Sequence, residues 1–545
     1  MLFQLLTAQS GLLRDEVIYS AVLPTKVYYA WTCLVMFCCR ALHTVSVYLS
    51  LWTALSHAQD APVPSPYAQP SGLTEDITQW LAVSAGSQIA TCKTRMMANI
   101  NPVGGANGTV VASTSTENPN YHYNWVRDAA LTMDVVVKLY SAASDANARS
   151  GYEQILFQYA QARADEQNDP DLQTGLGEPK FELNNSVFTG PWGRPQNDGP
   201  AESATTLMEF ASAYLAAGGD MGTVKQKIWD SSNFSNQAPV LKDLLYVASN
   251  WSADSFDLWE EEESPNHFFN RMVYHRALDM GAKFAANLSD TETANTLSAA
   301  ARDVAATLPS FWDPARQLIV YEIGPVLRNK SSYKDVAVVL GILHGYNYDG
   351  IYSYANDQVL ASAYQLATSF LAVYPIANVT TDASGGTLGI PVGRYPEDVY
   401  TGTGTAPNGG NPWFLATAAL AELLYRASAE LQENGTLTVS NTSLPFWQYF
   451  APAAGLAAGQ TYSSNSQAFG TAIAAIEGWA DAFVRRIKFH TPADKRLSEE
   501  YNRDDGFSTG ALDLTWSYAS LLTASFARAD LRGDTGYIGA VADLV

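Results

Sequence analysis

The chain has 545 residues, of which 47% are apolar, 12% aromatic and 16% charged. This composition is typical of a globular protein and excludes an intrinsically disordered one. Lys and Arg number 32 against 54 Asp and Glu, and the net charge of −22 opposes binding to a phosphate backbone. Nucleic acid is therefore not an expected partner. The length alone suggests three to four domains of roughly 150 residues, although a single large barrel domain can also reach this length.

Residues 1–58 are predicted to be an upstream extension followed by a signal peptide. A short basic region at Arg40 precedes an apolar run over residues 45–55 and the small residues that end at Ala58. This order is typical of a secretory signal that is cleaved after Ala58. The alternative is a membrane anchor over residues 27–55, because about 20 apolar residues span a bilayer.

The cysteines and the glycosylation motifs also favour export. Three of the four cysteines lie before residue 40, so Cys92 alone remains in the mature chain and no internal disulfide is expected. Nine Asn-x-Ser/Thr acceptors indicate a glycosylated, secreted, extracellular protein. They are Asn107, Asn184, Asn233, Asn250, Asn287, Asn329, Asn378, Asn434 and Asn441.

Residues 59–72 carry four prolines and predict an extended linker, after which the catalytic domain runs from 73 to 545. Its dominant pattern is helical. Leu297, Ala301 and Val304 recur at helical spacing behind a capping box formed by Ser289 and Glu292. Similar patterns predict helices over about 128–145, 201–217, 268–286, 356–373, 413–432, 466–487 and 511–526. The fold class is therefore mainly α.

Long loops rich in Gly, Pro, Trp and Asp precede several of these helices. If alternate helices point the same way, these loops gather at one end of the molecule and form a concave site there. A closed ring of αα-hairpins satisfies this arrangement. A solenoid would satisfy it too, but the sequence shows no repeat of fixed period.

Metal, nucleotide and acyl-transfer chemistry have little support in the sequence. The five histidines beyond residue 58 show no ligand-like pair spacing, and neither a Gly-x-Ser-x-Gly elbow nor a phosphate-binding loop occurs. We therefore expect no metal and no cofactor.

Carboxylates among aromatic side chains remain as candidate chemistry. The acidic segments 255–263 and 498–506 each enter a predicted helix, and residues 121–128, 190–196 and 393–398 add Arg, Trp and Tyr. Aromatic faces stack on sugar rings, Arg and Asp bond hydroxyls, and two carboxyls flank a glycosidic oxygen in glycosidases. These segments supply what a sugar site needs.

At these segments the chain resembles the fungal glucoamylases, inverting exo-acting glucosidases of glycoside hydrolase family 15 with an (α/α)6 barrel. The resemblance covers about residues 73–530. It is carried by seven motifs in the family's order: YNWVRD, GLGEPKF, GPWGRPQNDGP, DLWEE, GRYPED followed by NPWF, SEEYN and DLTWSYASLLTA.

The resemblance implies that Glu260 is the general acid and Glu499 the general base. Inversion needs room for a water, so their carboxyl groups should lie about 6.5 to 9.5 Å apart. Burial against Trp259 and Trp192, with repulsion from Glu261 and Glu499, should raise the pKa of Glu260. Glu499 should stay ionised, with the Tyr501 or Tyr121 hydroxyl or backbone N–H groups favouring its anion.

Eight further residues are implied to bind substrate. Arg127 and Asp128 resemble the pair that grips the terminal glucose, and Arg394 resembles a second clamp. Trp192 resembles the indole near the acid, and Tyr121 the tyrosine near the catalytic water. The rim of the next subsite is implied to consist of Leu258, Trp259 and Glu261.

Other residues near these motifs favour structural roles. Trp125, Trp413 and Trp516 are interpreted as core aromatics rather than sugar platforms. Lys334 and Asp335 are interpreted as a surface pair. Asp398 is expected to support Arg394.

The sequence departs from the family in two informative places. Glu500 stands where many relatives have Gln, and a second charge beside Glu499 would raise its pKa. We also expect no linker and no starch-binding domain after the predicted barrel.

The predicted function is that of a secreted, monomeric glucan 1,4-α-glucosidase, which releases β-D-glucose from non-reducing ends of starch, glycogen and maltooligosaccharides and cleaves α-1,6 bonds more slowly. A glucodextranase-like or trehalase-like enzyme, or a non-catalytic glucan-binding protein, is the alternative. A membrane is expected as a partner only if the N-terminal segment is an uncleaved anchor.

Overall fold

Successive αα-hairpins make up most of the described chain. The structure is a computed structural model, and it describes residues 64–229, 238–325 and 330–544. The predicted leader 1–58 and the acceptors Asn233 and Asn329 lie outside these ranges. All the described residues belong to one compact unit, Pro62–Val545.

Six helices form a closed inner ring. Each contacts the next along the chain, and the last contacts the first. Because an outer helix lies between successive inner helices, all six inner helices run in the same direction. They are α2 (Val126–Ala142), α4 (Asp198–Ala216), α6 (Phe268–Asn287), α8 (Ala337–Gly345), α10 (Phe414–Asn434) and α12 (Thr515–Leu531).

Six outer helices pack around this ring, each against one or two inner helices. They are α1 (Gln88–Ala98), α3 (Ala146–Gln167), α5 (Val240–Asn250), α7 (Thr291–Thr307), α9 (Asp357–Ser369) and α11 (Gln467–His490). The inner helices are buried on nearly all sides, because the lumen and the outer ring cover opposite faces.

Short elements occupy the loops. The further α-helices are Glu75–Trp80, Met221–Val224, Leu444–Phe450 and Tyr537–Asp543, with single turns of other helix types at Gly175–Gly177, Lys225–Trp229, Leu308–Phe311, Phe370–Ala372, Pro375–Asn378 and Pro452–Ala454. The strands form antiparallel pairs: Asn124–Trp125 with Lys180–Phe181, Ser255–Phe256 with Glu263–Ser264, Trp312–Asp313 with Leu318–Ile319, Thr436–Val439 with Gln460–Ser463, and Glu500–Tyr501 with Ser508–Thr509.

All eight predicted helices are present, with ends within about four residues of those expected. The predicted capping box is wrong, because Asp290 and not Ser289 caps α7 by accepting from the Thr293 amide at 3.1 Å. Ser289 instead has a left-handed φ of 64°, which places it in the preceding turn.

The segment predicted as a linker differs from the expectation where it is described. Residues 64–72 contain no helix or strand, as their prolines predict. However, Tyr67 is buried, donates its hydroxyl hydrogen to the Ala377 carbonyl at 2.8 Å and packs edge-on against Trp479 of α11. This part of the chain therefore belongs to the barrel's core, because the tyrosine finds both an apolar surface and a hydrogen-bond partner there.

A buried ion pair joins the outer and inner rings. The Asp481 carboxylate on α11 accepts from the Arg528 guanidinium on α12 at 2.8 and 3.0 Å and from the Tyr425 hydroxyl on α10 at 2.6 Å. It also accepts from the Thr74 amide at 2.6 Å, which ties the N-terminal segment to the barrel.

We expect Asp481→Ala to lower the free energy of unfolding by about 3–5 kcal/mol, because the guanidinium of Arg528 would be left buried without its counter-charge. Chemical denaturation measures the change. The matched control is Asp494→Ala, whose carboxylate is 56% exposed and which should change stability by about 0.5 kcal/mol or less. Equal effects of the two substitutions would contradict the role of the ion pair.

Candidate active site

A cavity of about 330 Å³ lies where the inner helices begin, and we call it the upper cavity. Loops that enter α2, α4, α6, α10 and α12 form its wall. All ten residues singled out from the sequence line it: Tyr121, Arg127, Asp128, Trp192, Leu258, Trp259, Glu260, Glu261, Arg394 and Glu499. Parallel inner helices explain this convergence, since their N-terminal ends share one end of the barrel.

Glu260 sits at the turn of a short β-hairpin, where its φ of 65° is unusual for a residue other than glycine. Its side chain is held by two donors. The Trp192 indole N–H donates to Oε2 at 2.5 Å, and Arg127 Nη2 donates to Oε1 at 3.1 Å. A conformation this costly persists only where the surroundings fix it, which is common at functional sites.

The pKa of Glu260 is raised to about 7, first by burial and then by repulsion from the Asp128 carboxylate. Arg127 and Lys180 oppose this rise but do not cancel it. The sequence predicted the direction correctly but named Glu261 and Glu499 as the repelling charges, whereas the carboxylate with the largest repulsion is Asp128. The carboxyl group can therefore keep its proton at mildly acidic pH.

Glu499 lies fully buried at the start of the second acidic hairpin. Its Oε2 accepts from the Tyr400 hydroxyl and from the Ala511 amide, both at 3.2 Å. Gly510, with a φ of 72°, leaves space for this oxygen, since a Cβ there would lie 2.4 Å from it. A glycine is thus needed at this position both for its backbone conformation and for the approach of the carboxylate.

The sequence predicted that Glu499 stays ionised and that the charge of Glu500 would raise its pKa; the pKa is raised, but burial is the leading cause. Burial raises its pKa to about 7, although the Ala511 amide, Arg394 and the hydroxyls of Tyr121 and Tyr400 all lower it. Tyr501, the other hydroxyl considered from the sequence, instead shares a hydrogen bond of 2.8 Å with Thr417. Tyr400 donates to Glu499 at 3.2 Å, and Tyr121, which the sequence had named, also lowers the pKa of Glu499.

Glu500 is also fully buried, and its Oε2 accepts from Asn411 Nδ2 at 2.8 Å. Burial, and then the charge of Glu499, raise the pKa of Glu500 well above its usual value. Because four groups stabilise the Glu499 anion, Glu499 ionises before Glu500. The pair therefore holds one proton on Glu500 while Glu499 carries the charge.

Two arginines, each anchored by a carboxylate, face the upper cavity. Arg127 donates to Asp198 at 2.7 Å and to Gln196 at 3.0 Å. Arg394 donates to Asp398 at 2.7 and 2.8 Å and to Glu261 at 3.0 Å, which confirms the expected support of Arg394 by Asp398. The bidentate pair with Asp398 fixes the plane of the Arg394 guanidinium group.

Trp259 is positioned by a residue that the sequence placed elsewhere. Its indole N–H donates to Asp335 Oδ1 at 2.9 Å, and Asp335 is 2% exposed, so the interpretation of Lys334 and Asp335 as a surface pair is wrong for Asp335. The buried ammonium group of Lys330 lies 3.2 Å from the same carboxylate, which makes a charge at this depth possible.

Trp125, Trp413 and Trp516 are buried, as expected of core aromatics, but they also line the upper cavity. Trp259 contacts two of them, with ring centroids 5.5 Å from Trp413 and 6.4 Å from Trp516. The same indoles therefore belong to the barrel's core and to the cavity wall, because the cavity lies directly against the core.

The sequence profile of glycosyl hydrolases family 15 matches residues 92–526. The chain belongs to this family. It is 56% identical to the glucoamylase of Blastobotrys adeninivorans over 88% of this chain and 76% of that protein. It is 38% identical to glucoamylase 1 of Rhizopus oryzae over 85% and 73% of the two chains.

Solved structures from family 15 share the fold. The glucoamylase from Saccharomycopsis fibuligera matches with a TM-score of 0.73 at 29% identity, covering 86% of this chain and 99% of that one. The enzyme from Hypocrea jecorina matches with a TM-score of 0.72 at 35% identity, covering 82% and 72%. The predicted family, the (α/α)6 barrel and the glycosidase class are therefore confirmed.

Two residues of this family 15 site were missed by sequence reasoning. Tyr400 stands two residues after Asp398 in a loop rich in Gly and Pro, and its position beside the Arg394 motif was the available signal. Lys180 lies within the GLGEPKF motif, and its ammonium group sits 3.6 Å from the ring centre of Trp192 and 4.0 Å from that of Tyr123. Contacts between side chains so far apart in sequence depend on the closed ring.

Some expectations remain open at this family 15 site. No cluster of three or more His, Cys, Asp or Glu side chains within the described ranges fits a metal ion. No helix within those ranges combines the length and apolarity needed to cross a bilayer. The expected absence of a metal, a cofactor and a membrane anchor therefore remains a prediction.

We expect kcat/KM on maltose to fall about tenfold per pH unit well above pH 7, and to fall also below pH 7, where the base Glu499, whose pKa is likewise raised to about 7, takes up a proton. The general acid works only when protonated, so a raised pKa of about 7 for Glu260 sets the pH above which activity is lost. A pH profile of kcat/KM, with thermal stability measured at each pH, separates this loss from unfolding. A flat profile between pH 6 and 9 would contradict the assignment.

Proposed function

We propose that this family 15 enzyme removes glucose from the non-reducing ends of α-1,4-linked glucans, with inversion at the anomeric carbon. The observation that carries the proposal is that Glu260 and Glu499 face one cavity from different loops. Starch, glycogen and maltooligosaccharides are the proposed substrates, and α-1,6 bonds are cleaved more slowly. The enzyme is proposed to act outside the cell as a monomer.

The size of the upper cavity supports attack at chain ends. Its volume of about 330 Å³ is near the lower limit for ligand sites, and a floor of packed indoles bounds it. A pocket with a floor accepts the end of a chain, whereas internal cleavage needs a groove that is open at both ends. Arg127 with Asp128, and Arg394, are proposed to bond the hydroxyls of the terminal sugar.

Glu260 is the proposed acid. Its proton passes to the glycosidic oxygen as the bond from this oxygen to the anomeric carbon breaks, which leaves the anomeric carbon positively charged in the transition state. Arg127 and the Trp192 N–H then stabilise the carboxylate that forms. This step releases the remaining glucan with a free 4-hydroxyl group.

Glu499 is the proposed base. A water molecule attacks the anomeric carbon from the opposite face and gives its proton to Glu499, so the product is β-D-glucose. The hydroxyl of Tyr400, which also lies 3.1 Å from the hydroxyl of Tyr121, holds the carboxylate in place. The separation of the two carboxyl groups is predicted to be about 6.5 to 9.5 Å.

The configuration of the first product tests the mechanism. Proton NMR of a fresh maltose digest should show the β-anomer of glucose first, followed by mutarotation toward equilibrium. The α-anomer appearing first would contradict inversion. Parallel digests of isomaltose and trehalose distinguish the glucodextranase-like and trehalase-like alternatives, and no product from any of the three would favour a non-catalytic protein.

A further inference from the structure

A second, larger cavity lies at the opposite end of the barrel. Its volume is about 580 Å³, and we call it the lower cavity. Side chains from all six inner helices line it. These residues lie about two to four turns after the first residue of their helices, away from the upper cavity. Because the inner helices run in parallel, the two cavities occupy opposite ends of one lumen.

Charged side chains in the lower cavity occur as matched pairs. Lys138 pairs with Asp134 on α2, and Arg276 of α6 pairs with Glu209 of α4. On α10, Arg426 lies 2.7 Å from Glu422. Three cations thus face three carboxylates.

The histidine in this wall is neutral. Burial lowers the pKa of His344 to about 4. The wall therefore carries donors and acceptors without a net charge.

Tyrosines from the loop after α8 stand beside these pairs. The rings of Tyr346 and Tyr348, and those of Tyr346 and Tyr354, have centroids 5.1 Å apart. The guanidinium of Arg426 lies 5.5 Å from the ring centre of Tyr354. Tyr348 is 74% exposed, so it offers a ring face to solvent at this cavity.

This chemistry suits one class of ligand. An anion would meet three carboxylates, a cation would meet two guanidinium groups and an ammonium group, and an apolar molecule would desolvate the ion pairs without replacing their hydrogen bonds. A neutral polyhydroxyl compound can donate to the carboxylates and accept from the cations while its aliphatic ring face lies on a tyrosine. The volume lies within the range for small-ligand sites.

We propose that the lower cavity is a second binding site, distinct from the catalytic one, for a short neutral saccharide. The ion pairs hold the hydroxyl groups of the sugar, and Tyr348 provides the stacking surface. We assign no hydrolysis to this site. It does not depend on the proposed catalytic mechanism.

Calorimetric titration with maltose tests this site in a full-length Glu260→Gln chain, which binds the sugar without consuming it. We expect two sites per chain. Adding Tyr348→Ala should weaken one of them about tenfold and leave the other unchanged, since an aromatic contact contributes up to about that factor. Tyr348→Phe, the matched control, keeps the ring and should keep both sites.

A second variant tests whether the effect of Tyr348→Ala comes only from a local rearrangement of the loop after α8. Met280 lines the lower cavity, and Met280→Trp should fill it and abolish the same site. In the chain with an intact Glu260, Tyr348→Ala should leave kcat/KM on maltose unchanged. A single maltose site in the Glu260→Gln chain, or two sites that both ignore Tyr348→Ala and Met280→Trp, would overturn the proposal. Tighter binding of glucuronate than of maltose in this cavity would overturn the neutral class of ligand.

Discussion

Glu260→Gln should lower kcat on maltose by about 10²- to 10⁴-fold and change KM little. The loss is that of a general acid, whose proton transfer contributes this range. Glutamine has the shape of the protonated carboxyl, which is the form that the raised pKa of about 7 favours at working pH. Its oxygen can still accept from one of the two donors, Trp192 or Arg127, so the loop that carries it should keep its position.

The same hairpin offers a matched control. Glu263 is exposed and lies in the returning strand, so Glu263→Gln makes the same Glu-to-Gln replacement three residues away and outside the cavity. We expect wild-type kinetics from it. Steady-state kinetics on maltose, with equal melting temperatures for both variants, provide the test. Unchanged turnover in Glu260→Gln would reject Glu260 as the acid.

The helices that the sequence predicted are those with an alternation of apolar and polar faces. Four helices were missed, and α8 shows why: its sequence AVVLGILHG is apolar on every side, because the helix is buried in the ring. A run of this kind has no helical period and resembles a buried strand. Burial on all sides therefore explains why α8 was missed, but the other five inner helices were predicted, and the other three missed helices, α1, α3 and α5, belong to the outer ring.

The site residues were found through motifs, and their partners were found only through geometry. Glu260 and Glu499 stood in acidic segments that could be named, but the charge that raises the pKa of Glu260 belongs to Asp128, which is far away in sequence. In the same way, Asp335 supports Trp259 although 76 positions separate them. Such pairs depend on which loops share one end of the ring, and local sequence does not contain that information.

Glu499→Gln should also lower kcat by about 10²- to 10⁴-fold, because the attacking water would lose the group that takes its proton. KM should stay within a few-fold, since Glu499 contacts the water and not the sugar in the proposed mechanism. The fold should tolerate the change. Glutamine can still accept from the Tyr400 hydroxyl and the Ala511 amide, the two donors that now hold Oε2.

The decisive control for Glu499→Gln is the same substitution at the next residue, Glu500. Glu500 is as deeply buried as Glu499, yet its pKa is raised further by the charge of Glu499, so it already carries a proton when the base is ionised. Glu500→Gln therefore replaces one neutral group by another, and its side-chain oxygen can still accept from Asn411. We expect its kcat to remain within about threefold of the wild type, because no charge changes in the working form.

Comparing these two isosteric changes separates chemistry from packing. Both remove one buried carboxyl from the same hairpin, so a loss caused by disturbed packing would appear in both, whereas loss of the base appears in one. Equal losses would mean that the two carboxyls share the proton during turnover. A larger loss in Glu500→Gln would assign the base to Glu500, which would require the water to lie on the Asn411 side of the hairpin.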